Sequence, residues 1–339
     1  MKSLKSFIQF FLFLALGILL LWVTTRSLSR DEIKMVQELI FGSNWLMVLP
    51  CVIILLLSHY IRSIRWKMMI LPLGFNPGIW NVFMSVITGF FFNLLFPRLG
   101  EVMKCTLLGK YEKIPVDKLI GTMVAERMVD LLCLMLVILI TILIQLQRVW
   151  SYTEELLSIL IHKIMVDKWI LIIFLIFLIL TGYGIYYFLR SNSNSRVIKK
   201  IRSMISGFYE GILSIRKIDK KGTFIFHTLF IWFLYLLSIK VGFYALQPLA
   251  SMGWPASLTI LTFGSFAMIA TQGGIGAYQL AVQKTLSLYG VNAVSGLAFG
   301  WLLWSVQTVM LLITGPLCLL LLLWYNKTKT TEQKIDKIE

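Results

Sequence analysis

The sequence predicts an all-α integral membrane protein of about six spanning helices and two re-entrant helical hairpins, related as an inverted-topology repeat. Three observations carry this reading: apolar runs long enough to cross a bilayer, Lys and Arg gathered in a few loops, and Pro or Gly turns interrupting two of the runs. The chain has 339 residues, 58% hydrophobic and 14% charged, with a formal net charge of +16. An ordinary soluble domain is excluded by that pairing. A nucleic-acid binder could be as basic, but it would not carry charge-free runs that span a hydrocarbon core of about 30 Å, which takes roughly 20 helical residues. Nucleic acid is therefore not an expected partner.

The first run, residues 7–23, follows Lys2 and Lys5 and has no small-residue cleavage site, so it is read as a retained helix rather than a signal peptide. Further runs occupy 45–61, 79–97, 119–146, 169–189, 223–249, 254–289 and 291–325, with Trp45, Trp169, Trp254 and Trp324 at run ends, where interfacial anchors sit.

Orientation follows from the positive-inside rule. The loop 190–222 holds nine basic residues against Glu210 and Asp219, which places it in the cytoplasm. Its stretch 196–221 interleaves those charges with Val197, Ile198, Ile201, Met204, Ile205, Phe208 and Tyr209, as an amphipathic helix on the anionic inner leaflet would. Segment 147–168, with three basic and three acidic residues, is then outside. Counting back, 98–118 is inside, and so is 60–78 with Arg62, Arg65 and Lys67 if the N-terminus is. Both hold only if 79–97 enters from the cytoplasm, breaks at Pro97-Arg98-Leu99-Gly100 and returns.

The same parity argument makes 254–289 an outer hairpin, broken at Thr271-Gln272-Gly273-Gly274-Ile275-Gly276, where clustered glycines permit helix-ending backbone angles. The last run is too long for one upright span, and Gly315-Pro316 is the expected kink. Two repeats result, 1–146 and 147–325, followed by a cytoplasmic tail, 326–339. Inverted repeats with interrupted helices are characteristic of alternating-access transporters, and the breaks point to the substrate site. Eight simple spans kinked at Pro97 and the glycines form the alternative.

Charge inside the membrane is costly enough that each case needs a reason. Glu126 and Asp130 are four apart on one helix face, and Arg127 can reach Asp130. That cluster reads as a helix-pinning ion knot, as a gate, or as an acid pair for a cationic headgroup or proton. Arg98 and Glu101 flank the first break, where the helix N-terminus around Gly100 offers amides to an anion and a guanidinium can grip a phosphate. Gly273, Gly274 and Gly276 could do the same with backbone alone, or could serve close helix packing. Arg62 and Arg65, beside Trp66, are expected to snorkel to lipid headgroups, with guidance of an anionic lipid toward the hairpin as the alternative. Lys240 either pairs with Glu126 or Asp130 or snorkels outward, and Lys284 is ambiguous in the same way. Cys51, Cys105, Cys133 and Cys318 with His59, His162 and His227 show no ligand spacing, so no metal is expected.

Arg65-Trp66, Pro97-Arg98-Leu99-Gly100-Glu101-Val102, Glu126-Arg127 with Asp130, and Gly273-Gly274-Ile275-Gly276, in this order, resemble the transmembrane region of lysylphosphatidylglycerol synthetases, the flippase-like domain family. The resemblance covers about 5–325. It implies an integral bacterial inner membrane protein that moves or handles a lipid with a polar headgroup, and the loop charges place both termini in the cytoplasm. Relatives join this region to a soluble aminoacyl-transferase domain; only 326–339 follow the last span here, so lipid synthesis is not expected of this chain. Where the family usually has Pro before the glycine pair and Glu after the last glycine, this chain has Gln272 and Gln279, which favours a neutral or anionic headgroup.

The expected function is thus translocation of a phosphate-bearing lipid or lipid-linked headgroup, without a cofactor and without ATP, since no Walker-type loop is present. The expected partners are membrane lipids, phospholipid or lipid-linked sugar, and a homodimer is allowed. A membrane-embedded transferase using Glu101, Glu126 or Asp130 as general base is the alternative, and a small-solute transporter a third reading.

Overall fold

The computed structural model describes residues 29–96, 98–145 and 218–335, together with Leu19 and Arg26. The expected span 169–189 and Pro97 lie outside these residues, as do all of the span 7–23 but Leu19 and the amphipathic stretch 196–221 as far as residue 217.

Among the described residues all regular structure is helical. A capping box starts α1 (Arg30–Phe41): Ser29 Oγ accepts from the Glu32 amide while Glu32 accepts from the Ser29 amide. Asn44 caps α2 (Trp45–Ile70), its Oδ1 accepting from the Leu46 amide. This helix is longer than the run that announced it. It carries Arg62, Arg65 and Lys67 as helical residues, so most of the expected loop at 60–78 is helix up to the turn Leu71–Leu73 and Gly74 at φ 85°. Arg and Lys are good helix formers, and a basic stretch ends a span without ending the helix.

Next comes a helical hairpin, α3 (Ile79–Leu95) and α4 (Leu99–Glu112). Its mouth is tied by Glu112, whose Oε1 accepts from the Gly78 amide at 2.9 Å and from Asn81 Nδ2 at 2.6 Å. Nearer its tip Gly89 meets Gly100: a Cβ on Gly100 would overlap the Gly89 carbonyl, so only glycine permits the approach. Then follow α5 (Val116–Ile144) and, after the residues not described, α6 (Lys221–Gly242). Helix α6 runs antiparallel to α2, fixed by Asn44 N–H to Ala245 O at 2.8 Å and Cys51 Sγ to Ser238 O at 3.5 Å. A second hairpin, α7 (Trp254–Ala270) and α8 (Ala277–Ser287), precedes the long α9 (Ala293–Ile335).

Among the described residues four helical stretches, Trp45–Leu73, Val116–Ile144, Lys221–Ala245 and Ala293–Lys327, are long and apolar enough to cross a membrane. Helices α3 and α7 are apolar but shorter, at 17 residues each. Their partners α4 and α8 have 14 and 11 residues, so at about 1.5 Å per residue neither crosses a 30 Å core upright. Outward-facing Leu131, Leu132, Met135, Leu139 and Leu143 give α5 an exposed apolar band suited to hydrocarbon.

Helix α9 organises the packing, and it does so through small residues. Gly300 lies against the backbone of Gln279 and Gly296 against that of Gln283, bringing α8 close. Gly315 lies against Phe91 of α3, so that glycine serves the α3 crossing, and Pro316 follows it inside the helix. Around Phe243 and Phe299, whose rings stack with centroids 4.8 Å apart, α2, α6, α7, α8 and α9 bury one apolar core. A second core joins Trp66, Val82, Val86, Cys105, Leu108 and Leu119, and the charged residues lie beside it.

Candidate functional site: helix breaks and a buried ion network

The two helix breaks meet. A Cβ on Gly273 would stand 3.7 Å from Leu94 Cδ2, so the tip of the second hairpin rests on the last turn of α3. Gly273 (φ 59°), Gly274 (φ 75°) and Gly276 (φ 76°) all take the left-handed backbone that glycine adopts without a Cβ penalty. Trp304 of α9 pins the turn by donating Nε1–H to the Gly273 carbonyl at 2.8 Å. One helical turn away, Gly300 abuts Gln279, whose side chain is fully buried with neither amide atom hydrogen-bonded.

At the first break Arg98 itself takes the left-handed conformation, φ 64° and ψ −6°. A non-glycine residue is held there at a cost of about 1 kcal/mol or more. Its side chain is exposed and joins no ion pair among the described residues. The Gly100 amide, expected to face an anion, instead donates to Asn93 Oδ1 at 2.9 Å. The turn therefore offers the Arg98 guanidinium to a ligand, while its Gly100 donor is already used.

From that break α4 leads inward to a dense ion network. Glu101, one turn along, has Oε1 2.9 Å from Arg127 Nε, an ion pair off the hydrogen-bond line, and both side chains are partly exposed. A further turn in, Lys104 Nζ lies 2.6 Å from Glu126 Oε2 and 4.3 Å from the centre of the Trp66 ring. The Trp66 indole donates to Thr122 at 3.0 Å. Across from Lys104, Arg62 Nη1 donates to Glu126 Oε1 at 3.0 Å and to Asp130 Oδ2 at 2.9 Å, and its Nη2 donates to Tyr235 at 3.1 Å. Arg65 Nη2 donates to Asp130 Oδ1 at 2.7 Å and reaches Glu126 Oε1 at 3.4 Å. Glu126 and Arg65 have fully buried side chains.

Several sequence expectations change here. Arg62, Arg65 and Trp66 do not face lipid headgroups: all three are buried, and each arginine pairs with both Glu126 and Asp130. Lys240 pairs with neither carboxylate, since its Nζ donates to the Met252 carbonyl at 2.7 Å and to Tyr244 at 3.1 Å. Lys284 is exposed. Arg127 does come within 3.9 Å of Asp130, though its nearer partner is Glu101. Lys104, Tyr235, Asn93 and Trp304 were not anticipated. Lys104 had a signal: it is a lone cation on the glycine face of α4, four residues after Gly100.

One family model covers nearly the whole chain. The family model for the lysylphosphatidylglycerol synthase TM region matches residues 10–330. The chain belongs to this family. As a lysylphosphatidylglycerol synthase TM-region protein it is a multi-pass helical membrane protein, of a family related to lipid handling. It is also 34% identical over 100 residues to the UPF0104 membrane protein MJ1595 of Methanocaldococcus jannaschii, a match covering 29% of this chain and 30% of that relative. No solved structure matches the chain.

Proposed function

We propose that this TM-region protein moves a phosphate-bearing lipid, or a lipid-linked headgroup, between the leaflets of the cytoplasmic membrane without ATP. The observation that carries the reading is the meeting of the two hairpin tips, Leu94 against Gly273, beside the exposed Arg98. Irregular backbone at membrane depth is tolerated where it is buried in protein or lines a polar passage. Two hairpins that meet tip to tip from opposite faces give such a passage a closed state, and parting them opens it. In this reading Arg98 engages the phosphate in the first step. The headgroup passes between the tips, and the acyl chains remain in lipid.

Family membership supports the lipid as cargo, because the family takes its description from a lipid synthase. A transferase finds less support. Glu126 is fully enclosed by three cations, and Asp130 lies against Arg62 and Arg65 with Arg127 at 3.9 Å, which leaves Glu101 as the most exposed carboxylate of the network, itself engaged by Arg127.

The test is a leaflet-accessibility assay on vesicles of native lipid extract containing the wild-type chain, the Arg98→Ala variant or no protein. Faster equilibration with wild type than with Arg98→Ala is expected. Equal lipid distribution in all three rejects the proposal.

A further inference from the structure

The inner ion network is one negative charge short. Among the described residues, Arg62, Arg65 and Lys104 pair only with Glu126 and Asp130, and each of these side chains is 13% exposed or less. The neighbouring Arg127 and Glu101 cancel each other and leave the excess in place. Hydrogen bonding shows the same deficit from the donor side. Arg62 Nε, Arg65 Nε and Arg65 Nη1 are buried with no acceptor, in a structure where each carboxylate oxygen of Glu126 and Asp130 is already engaged. An uncompensated cation and three unmet guanidinium donors in a low-dielectric interior are costly. A single negative charge with several acceptor oxygens would balance both the charge and the donors, and a phosphodiester has that chemistry.

From this balance we infer that the network is a second phosphate station, which accepts one lipid of net charge −1 bearing a phosphodiester, handed on from Arg98. The inference rests on the translocation reading and names its substrate class. A zwitterionic lipid brings a phosphodiester and an ammonium together and leaves the excess uncancelled; a monoanionic one removes it. Helix α4 supplies the path, since Arg98, Glu101 and Lys104 lie on successive turns from the exposed break to the buried network. Glu101 and Arg127, the partly exposed pair between them, separate to admit the headgroup.

Thermal unfolding of the full chain in neutral detergent reads binding directly, because a ligand of the folded state raises Tm. The probes are dioctanoyl phosphatidylglycerol, dioctanoyl phosphatidylcholine, dioctanoylglycerol and inorganic phosphate. Phosphatidylglycerol should stabilise at concentrations at least about tenfold lower than the other two lipids, the scale set by one desolvated charge. Inorganic phosphate should act only at higher concentration. Equal potency of phosphate and phosphatidylglycerol would assign the site to the free anion and overturn the lipid assignment, and equal potency of the three lipids would overturn the inference entirely.

Two variants separate charge balance from structural damage. Lys104→Met leaves two cations against two carboxylates and should abolish the preference for phosphatidylglycerol. Adding Glu126→Gln leaves two cations against one carboxylate, restoring the excess and the preference. A folded double variant without recovery contradicts the inference, and if that variant does not fold the wild-type lipid series decides alone. Binding is read here without leaflet movement. A chain that prefers phosphatidylglycerol but does not translocate rejects the function while keeping the station, and one that translocates without preference does the reverse.

Discussion

Lys104 of α4 and Glu126 of α5 stand 2.6 Å apart, Nζ to Oε2, and this contact fastens the first hairpin to the ion network. Both side chains are buried, so neither charge can turn to water if the other is lost. Glu126→Gln is expected to destabilise the protein by about 3–5 kcal/mol, the usual cost of breaking a buried pair. The partly exposed Glu101→Gln should cost at most about 1 kcal/mol. Thermal unfolding of both variants in the same detergent checks the contrast, and equal losses would contradict it.

Coupling energies distinguish the partners of Glu126 from its bystanders. Lys240 is tied to Met252 and Tyr244, so Lys240→Ala and Glu126→Gln should add within about 0.5 kcal/mol. Lys104→Met and Glu126→Gln should instead depart from additivity by about 1 kcal/mol or more, because each removes the same contact. A double-mutant cycle on chemical or thermal unfolding gives both numbers.

Substituting Gly100→Ala drives a methyl into the Gly89 carbonyl and to 2.7 Å from Asn93 Cγ. The hairpin must spread, at a cost of about 1–3 kcal/mol. Gly121→Ala on α5 meets nothing within 4 Å and should be neutral or stabilise by up to about 1 kcal/mol through helix propensity. Unfolding midpoints that fall for Gly100→Ala and hold for Gly121→Ala are the expected result.

Arg98 combines backbone strain with an unpaired side chain, so stability and activity should separate there. Arg98→Gly relieves the left-handed conformation and is expected to raise stability by about 1 kcal/mol, while lipid movement is lost with the guanidinium. Arg98→Lys keeps the charge but not the bidentate fork and should retain partial activity. Tm and the leaflet assay, read on the same preparations, check the two effects.

Among the described residues the long apolar helices, the two breaks and the intramembrane charges could be read from the sequence, because hydrophobic length, Gly and Pro turns and lone charges are local signals. What could not be read was which charges face which. Arg62 and Arg65, three residues apart, complement Glu126 and Asp130, four apart, but an arginine near a span end looks the same whether it snorkels to lipid or turns inward; only the packing of α2 on α5 decides. Lys104 was marked in the sequence as a cation on the glycine face of α4, but its partner could not be read, since that depends on the Gly89–Gly100 approach that sets α4 against α3. The meeting of Leu94 with Gly273 joins positions 179 residues apart in number, from 94 to 273, and no periodicity encodes it.

The central claim, that the two hairpin tips part for a lipid headgroup to pass, is tested most directly by tying them together. Leu94→Cys and Gly273→Cys place thiols where Leu94 Cδ2 and a Cβ at 273 stand 3.7 Å apart, and the native Cys51, Cys105, Cys133 and Cys318 are buried. The rate of leaflet equilibration in vesicles is measured for the oxidised and reduced double variant. The account predicts that oxidation stops lipid movement and reduction restores it; equal rates with the cross-link formed and broken would contradict it.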